Sequence, residues 1–282
     1  MVDVLKAGLF DTIQDFGRFG MQDYGVPYSG VMDTYSATLG NSILGNEKGA
    51  AVMECTINGP QLKFNTATLI CITGALMQPN LNGQTVRNNK AISVKENDVL
   101  RFGKLQYGCR CYISVLGGFR TEIVLGSRSM YQGITSKFKI ERGDKLPISS
   151  FHNSNTDSLV SIKVNEKHFQ TLDVDVFMGP EFKQLSVAQQ KLLFHQTFSI
   201  STESNRMAYQ FNELFVNDLD EIITSLVLPG TVQLTPSGQL ITLMRDGQTT
   251  GGYPRILQLS KDAINILAQK SLGDKIRFKC IK

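Results

Sequence analysis

Three histidines and five cysteines at irregular spacing leave carboxylates, arginines, amides and hydroxyls to carry any chemistry in this 282-residue chain. Between Pro229 and Pro254 the sequence PGTVQLTPSGQLITLMRDGQTTGGYP sets Arg245 beside Asp246, then puts Gln248, Thr249 and Thr250 just before Gly251-Gly252. Glycine lets a backbone approach a ligand closely and present its N–H groups, and Tyr253, ahead of a proline, is biased to extended backbone. These features read as one wall of a small-molecule site, although a glycine pair between strands also reads as a hairpin or a bulge. A second concentration, Leu9 to Asp33, holds Gln14, Asp15, Arg18 and Ser29 among glycines at 17, 20, 25 and 30, which mark it as loop. In LGSRS (125–129), Arg128 stands among hydroxyls. It is either a solvated surface residue or a clamp for a carboxylate, whose geometry its planar fork of donors matches.

Several chemistries find no support. The sequence has no G-x-x-x-x-G-K-[ST], no G-x-S-x-G and no H-E-x-x-H, and the early glycines do not follow a βαβ pattern. His195 falls at the end of an expected helix, where it favours the dipole, while His152 and His168 lie in polar segments. Cys109 and Cys111 share a face of an expected strand, but no second pair or neighbouring histidine completes a zinc set, so no metal is expected.

Composition narrows the partners. The chain is 41% hydrophobic and 19% charged, an ordinary soluble balance. Its net charge of +4 comes without any run of more than two basic neighbours, which argues against nucleic acid and anionic membrane as partners. Asp3 and Lys6 interrupt the N-terminus before any signal-like apolar run, and no stretch is long and apolar enough for a transmembrane helix. Together with an odd number of cysteines, this leads to the expectation of a cytoplasmic protein.

The elements that must position these residues are mostly strands. Strands are expected over Met53–Ile57, Gln61–Phe64, Ala67–Thr73, Val99–Phe102, Tyr107–Leu116, Leu159–Val164 and Val174–Met178, with a turn at Asn82-Gly83. Val232 and Leu234 alternate with Thr231, Gln233 and Thr235 as in a half-buried strand, and a more apolar strand follows from Gln239 to Met244. The last strand has Ile276, Phe278 and Cys280 inward. Helices are expected after Asp33, with Tyr35, Leu39 and Ile43 on one face, after the capping box of Ser186 and Gln189, and after Ser260. The segment Ser149 to Ser158 reads as a linker, which divides the chain into domains 1–155 and 156–282. An echo of Gln61-Leu62, Leu69–Ile72 and Asn97–Phe102 in Gln233-Leu234, Leu240–Leu243 and Gly273–Phe278 suggests two related β domains. Short strands with regular turns favour barrels, which also remove exposed edges.

The motifs TIQDFGRFG (12–20), GVPYSGVMD (25–33), LGSRS (125–129), SNRM (204–207), PGTVQ (229–233) and QTTGGYP (248–254) together resemble the allophanate hydrolase subunit 2 family, which includes the C subunits of 5-oxoprolinases. The resemblance covers nearly the whole chain. It implies a mainly β fold of two tandem cyclophilin-like β-barrel domains with a few short helices. It implies one component of an ATP-dependent 5-oxoprolinase that hydrolyses 5-oxoproline to glutamate together with the A and B subunits of that enzyme, the B subunit having a similar fold. ATP would be used through another component of the complex, and this chain would bind no cofactor. The family also offers two alternatives: a regulatory protein that binds a histidine-kinase inhibitor, and a carboxyltransferase for a urea or amide substrate, the one reading in which biotin takes part. On the motifs, the resemblance implies substrate binding by Gln14, Arg18, Ser29 and Arg128 in the first half. In the second half it implies Arg206, Gln233, Gln248, Thr249, Gly251, Gly252 and Tyr253, with Asp15 and Asp246 as the catalytic residues, either of which would orient the substrate or accept a proton. Ala208 and Gln210 stand where many relatives have glycine and arginine, a departure in the loop that carries Arg206.

Overall fold

The computed structural model describes residues 1–149, 164 and 167–281. The expected boundary at 155/156, His152, and the expected strand Leu159–Val164 except its last residue lie outside the described residues. The polypeptide divides into two compact units, Met1–Arg18 with Ser29–Asn165, and Phe19–Tyr28 with Glu166–Lys282. Both are mainly β, with the curled half-barrel sheets of the expected cyclophilin-like class and a few short helices. No helix among the described residues is long and apolar enough to cross a membrane.

The first unit contains β1 (Val2–Lys6), β2 (Phe10–Gln14), α1 (Thr34–Ile43), β3 (Val52–Thr56), β4 (Gln61–Phe64), β5 (Thr68–Leu76) and β6 (Asn80–Leu81). It continues with β7 (Gln84–Thr85), β8 (Ala91–Val94), β9 (Val99–Arg101), β10 (Tyr107–Val115) and β11 (Lys145–Leu146). One sheet has the order β11-β1-β4-β9-β6-β7 and the other β2-β3-β10-β5-β8. Asn82 and Gly83 both have positive φ, 53° and 86°, the turn that Asn-Gly favours between β6 and β7. Alternation sends Val2, Val4, Leu62, Phe64 and Leu100 of one sheet and Ile13, Met53, Ile70, Ile72, Cys111 and Ile113 of the other into a single core. Each such fully buried side chain contributes roughly 1.5–3 kcal/mol.

The opposite face of β10 carries Tyr112 and Ser114 and is covered by α1. Asp33 caps that helix, accepting from Ser36 N at 3.1 Å and Ser36 Oγ at 2.6 Å. Of the expected apolar face of α1, Ile43 is buried and Leu39 packs half-buried beside Leu44 and Cys71, but Tyr35 is exposed, and Ser36, Ala37, Gly40 and Asn41 also turn inward. Close approach is the reason. A Cβ on Gly40 would stand 2.5 Å from Ser114 Oγ, so small residues, not bulky ones, face the sheet.

The second unit contains α2 (Lys167–Gln170), β12 (Asp173–Met178), α3 (Val187–His195), β13 (Phe198–Ser199), β14 (Ala208–Gln210) and β15 (Ser225–Leu226). It ends with β16 (Thr231–Leu234), β17 (Leu240–Leu243), β18 (Thr250–Gly251), β19 (Arg255–Leu259), α4 (Lys261–Leu267) and β20 (Lys275–Cys280). Its main sheet has the order β13-β20-β12-β19-β16-β17-β14, and β15 pairs with β18 in a short ribbon. The capping box on Ser186 and Gln189 and the cap on Ser260 both form. Every residue of β16 is buried, not alternate ones, because its polar positions are covered too: Thr231 Oγ1 donates to Gln258 Oε1 and accepts from Leu228 N, and Gln233 bonds the 248–253 loop. Cys280 is exposed at the last position of β20, although Ile276 and Phe278 point inward as expected. The sequence echo does not extend to strand pairing. β4 is the neighbour of β9, whereas β19 and β12 separate β16 from β20.

Candidate functional site

In the first unit, the chain leaving β2 meets the 125–129 loop through one carboxylate. Asp15 Oδ1 accepts from Ser127 Oγ at 2.5 Å, Ser129 Oγ at 2.7 Å and Gly17 N at 2.8 Å, and Oδ2 accepts from Arg128 N at 2.7 Å. Hydrogen bonds to a charged acceptor are the stronger kind, so Asp15 fixes both loops and the backbone from which Arg128 projects. The positive φ of Leu125 and Gly126, 52° and 76°, makes the tight turn that brings both serines to it. The Arg128 guanidinium donates through Nη1 to Thr121 O. Arg18 is buried, with Nη2 donating to Ser129 O at 2.5 Å.

Gln14 is buried too. Its Nε2 donates to Thr12 Oγ1 at 3.1 Å and Met130 O at 3.2 Å, and its Oε1 accepts from Gly30 N at 3.1 Å. That acceptor ties down the turn carrying Ser29, which has φ 55° and a buried hydroxyl without a hydrogen-bond partner among the described residues. Gly30 is required here because a Cβ would lie 2.8 Å from the Phe16 carbonyl carbon.

Of these residues Asp15 and Arg128 border a cleft of about 640 Å³ within the first unit, which is lined also by Glu47, Phe119, Arg120 and the glycine-rich backbone at 45–49 and 117; Gln14, Arg18 and Ser29 do not line it. The volume suits a small-molecule ligand, for which roughly 300–1,000 Å³ is usual. A smaller cavity of about 280 Å³ shares Arg120 and Arg128 and adds Glu122, Ser136, Lys137, Asp144 and Lys145. Arg120 and Glu47 were not among the sequence candidates. Arg120 had one signal, its position two residues after the Gly117-Gly118 pair that ends β10.

The second unit gathers the other candidates. Arg206 and Asp246 form a bidentate pair, Nε to Oδ2 at 2.8 Å and Nη2 to Oδ1 at 3.1 Å, with both side chains nearly buried. Asp246 N also donates to Arg206 O, so backbone and side chain join the same two residues. Gln233 organises the 248–253 loop: its Oε1 accepts from Gln248 Nε2 and its Nε2 donates to Tyr253 O, both at 3.4 Å. A Cβ on Gly251 would stand 2.5 Å from Gln233 Nε2, so a side chain there would displace the Gln233 amide from the loop. Thr249 O and Gly252 O accept from Val227 N and Ile222 N, laying the loop along the β15 side. Arg255 braces that side, donating to both oxygens of Glu181 and to Leu226 O, and its guanidinium holds the Glu181 carboxyl below the usual carboxylate range. The described residues contain no cluster of three or more His, Cys, Asp or Glu side chains suited to a metal ion.

Residues 24–280 match the family described as carboxyltransferase domain, subdomain A and B. The chain belongs to this family. It is 31% identical to the C subunit of the 5-oxoprolinase of Escherichia coli (strain K12), over 99% of this chain and 90% of that protein. It is 43% identical to the urea amidolyase of Lachancea kluyveri, over 46% of this chain and 7% of that protein. The crystal structure of TTHA0988 superposes with a TM-score of 0.86 at 24% identity, covering 99% of this chain and 55% of that one, which speaks for the fold alone. The crystal structure of the urea amidolyase of K. lactis gives a TM-score of 0.84 at 25% identity, covering the whole of this chain and 19% of that one. The chain thus spans about half, or less, of the length of the solved structures it matches.

Proposed function

We propose that this chain is the C subunit of an ATP-dependent 5-oxoprolinase, working in the cytoplasm with a cyclophilin-fold B subunit and with the A subunit of the same enzyme. The carrying observation is the end-to-end similarity to the C subunit of a 5-oxoprolinase, which spans 99% of the chain. The sequence match to the urea amidolyase of Lachancea kluyveri reaches 46% of this chain, although the K. lactis urea amidolyase structure superposes on the whole of it. The reaction adds water across the lactam C–N bond, giving glutamate, and ATP is hydrolysed through another component of the complex. In this reading Arg128 takes the substrate carboxylate, backed by buried Arg18. Asp15 orients Arg128 through its backbone N–H. Ser29, buried with an unmatched hydroxyl, lies in the turn that Gln14 holds through Gly30 N. In the second unit, taken by itself, Gln248, Thr249 and the Gly251-Gly252 backbone offer amide-binding groups, with Gln233 and Tyr253 positioning their loop, while Gln14 positions the loop of the first unit. Asp246, held by Arg206, orients the 248–253 loop or accepts a proton. No metal and no cofactor is assigned to this chain.

Reconstitution tests it. A mixture of this chain with the A and B subunits should hydrolyse ATP in response to 5-oxoproline, and omission of this chain should abolish that response. Full activity without it would refute the assignment. The local 43% identity to urea amidolyase favours a second reading, a carboxyltransferase for a urea or amide substrate with a separate biotin carrier. That reading predicts activity blocked by avidin.

A further inference from the structure

The smaller cavity of the first unit has an excess of positive charge that its larger neighbour lacks. Arg120, Arg128, Lys137 and Lys145 line it against only two carboxylates, Glu122 and Asp144. Both carboxylates are already engaged. Glu122 accepts from Ser136 N at 2.7 Å and Ser136 Oγ at 2.6 Å, and these bonds hold its carboxyl below the usual range. Asp144 pairs with Lys137 and accepts from Glu141 N at 2.9 Å. Arg128 is anchored on Thr121 O. The side chain of Arg120 is exposed and, among the described residues, makes no hydrogen bond or ion pair; its Nη2 lies over the open backbone position of Gly117, with Ser149 beside it. The larger cleft sets the same two arginines against Asp15 and Glu47, so its charges balance.

We infer that the smaller cavity is an oxyanion site in which Arg120 and Lys145 bind a carboxylate or phosphate group, the uncharged remainder of the ligand lying in the larger cleft. Two basic side chains that form no ion pair among the described residues, facing a small cavity, match an oxyanion in charge, and the guanidinium adds parallel donors. For 5-oxoproline as the ligand, the inference rests on the 5-oxoprolinase reading. It moves the carboxylate contact from Arg128 alone to Arg120, with Arg128 as the wall between the two cavities. The oxyanion has two possible sources, the carboxylate of the substrate or phosphate released from ATP.

Calorimetric titration of the full chain with 5-oxoproline, 2-pyrrolidinone (the same ring without the carboxylate) and inorganic phosphate separates these. The wild type should bind at least one of the two anions, and 2-pyrrolidinone at least tenfold more weakly than 5-oxoproline if the carboxylate is the anchor. Arg120→Ala and Lys145→Ala should each weaken the bound anion about tenfold, Arg120→Lys should restore part of the loss, and unchanged thermal unfolding should show the variants folded. Binding of 5-oxoproline identifies the substrate carboxylate as the source. Binding of phosphate alone supports the oxyanion site and removes 5-oxoproline from it, and whether the chain serves an oxoprolinase is then read independently from its omission from the reconstituted complex. Failure of the wild type to bind either anion, or affinities within twofold of wild type in both alanine variants, overturns the inference.

Discussion

Asp246 can be a clamp for Arg206 or a group that takes a proton, and replacing it distinguishes the two. Its side chain is 11% exposed and that of Arg206 7%, with two parallel hydrogen bonds of 2.8 and 3.1 Å between them. Two unit charges about 4 Å apart attract by about 4 kcal/mol at an effective dielectric of about 20, and removing one partner of a buried pair costs about 3–5 kcal/mol because the other is left uncompensated. Asp246→Ala should therefore destabilise the second unit by about 3–5 kcal/mol. The double change Arg206→Met with Asp246→Leu, which leaves no orphaned charge, should remain within about 1.5 kcal/mol of wild type. Urea denaturation gives the magnitude, and native-state exchange of the Met244 and Asp246 amides, bonded to Met207 O and Arg206 O, localises it. If the residue is a clamp, Asp246→Asn should lose activity in the assembled complex in proportion to its lost stability. If it takes a proton, Asp246→Asn should stay folded while kcat collapses. A cost below about 1 kcal/mol for Asp246→Ala would refute the electrostatic reasoning.

Two further predictions concern buried polar groups. Burial raises the pKa of Asp11 from 3.8 to about 6, against opposing hydrogen bonds from Gly8 N and the Cys55 thiol. The folded state thus holds a proton that the unfolded chain releases, so the stabilisation is present below about pH 4 and is lost as pH rises through about 6. At 1.36 kcal/mol per unit this amounts to about 3 kcal/mol, so Asp11→Asn should exceed wild type by about 2–3 kcal/mol at pH 8 and by little at pH 4. Equal denaturation midpoints at pH 8 would contradict the assignment. Thr242 on β17 is fully buried, with its hydroxyl unpartnered among the described residues. Thr242→Val, of nearly the same shape, should stabilise by about 1 kcal/mol in urea denaturation, and a loss of stability would show that the hydroxyl is satisfied.

What could be read from the sequence was local. Asn82-Gly83 specified its turn, Ser186 and Gln189 their capping box and Asp33 its helix, because each rests on backbone chemistry within four residues. Burial around those elements was less legible. Of the expected inner face of α1, Leu39 and Ile43 do pack inward and Tyr35 does not, and small residues join them because closeness to Ser114, 74 positions beyond Gly40, requires them there. Half-burial of β16 was likewise inferred from alternation, which cannot show that a strand will be covered on both sides.

The candidate site has the same division. Motif composition pointed to Asp15, Ser127, Arg128 and Ser129, but not to the fact that one carboxylate would bind three of these from more than 110 residues away. Asp15 and Glu47 face the arginines only in the larger cleft, and in the smaller cavity, which neither lines, Arg120 and Lys145 form no ion pair among the described residues. Neither of those belongs to a motif. Arg120 follows an ordinary glycine pair and Lys145 lies on the two-residue edge strand β11, so each looks like a solvated surface charge until strand pairing brings β11 beside β1 and the loop after β10 back toward it through the bond from Arg120 N to Pro147 O. The residues most exposed to a ligand are therefore the ones whose role depends on the charges already spent around them, a property of the folded arrangement and not of any short stretch of sequence.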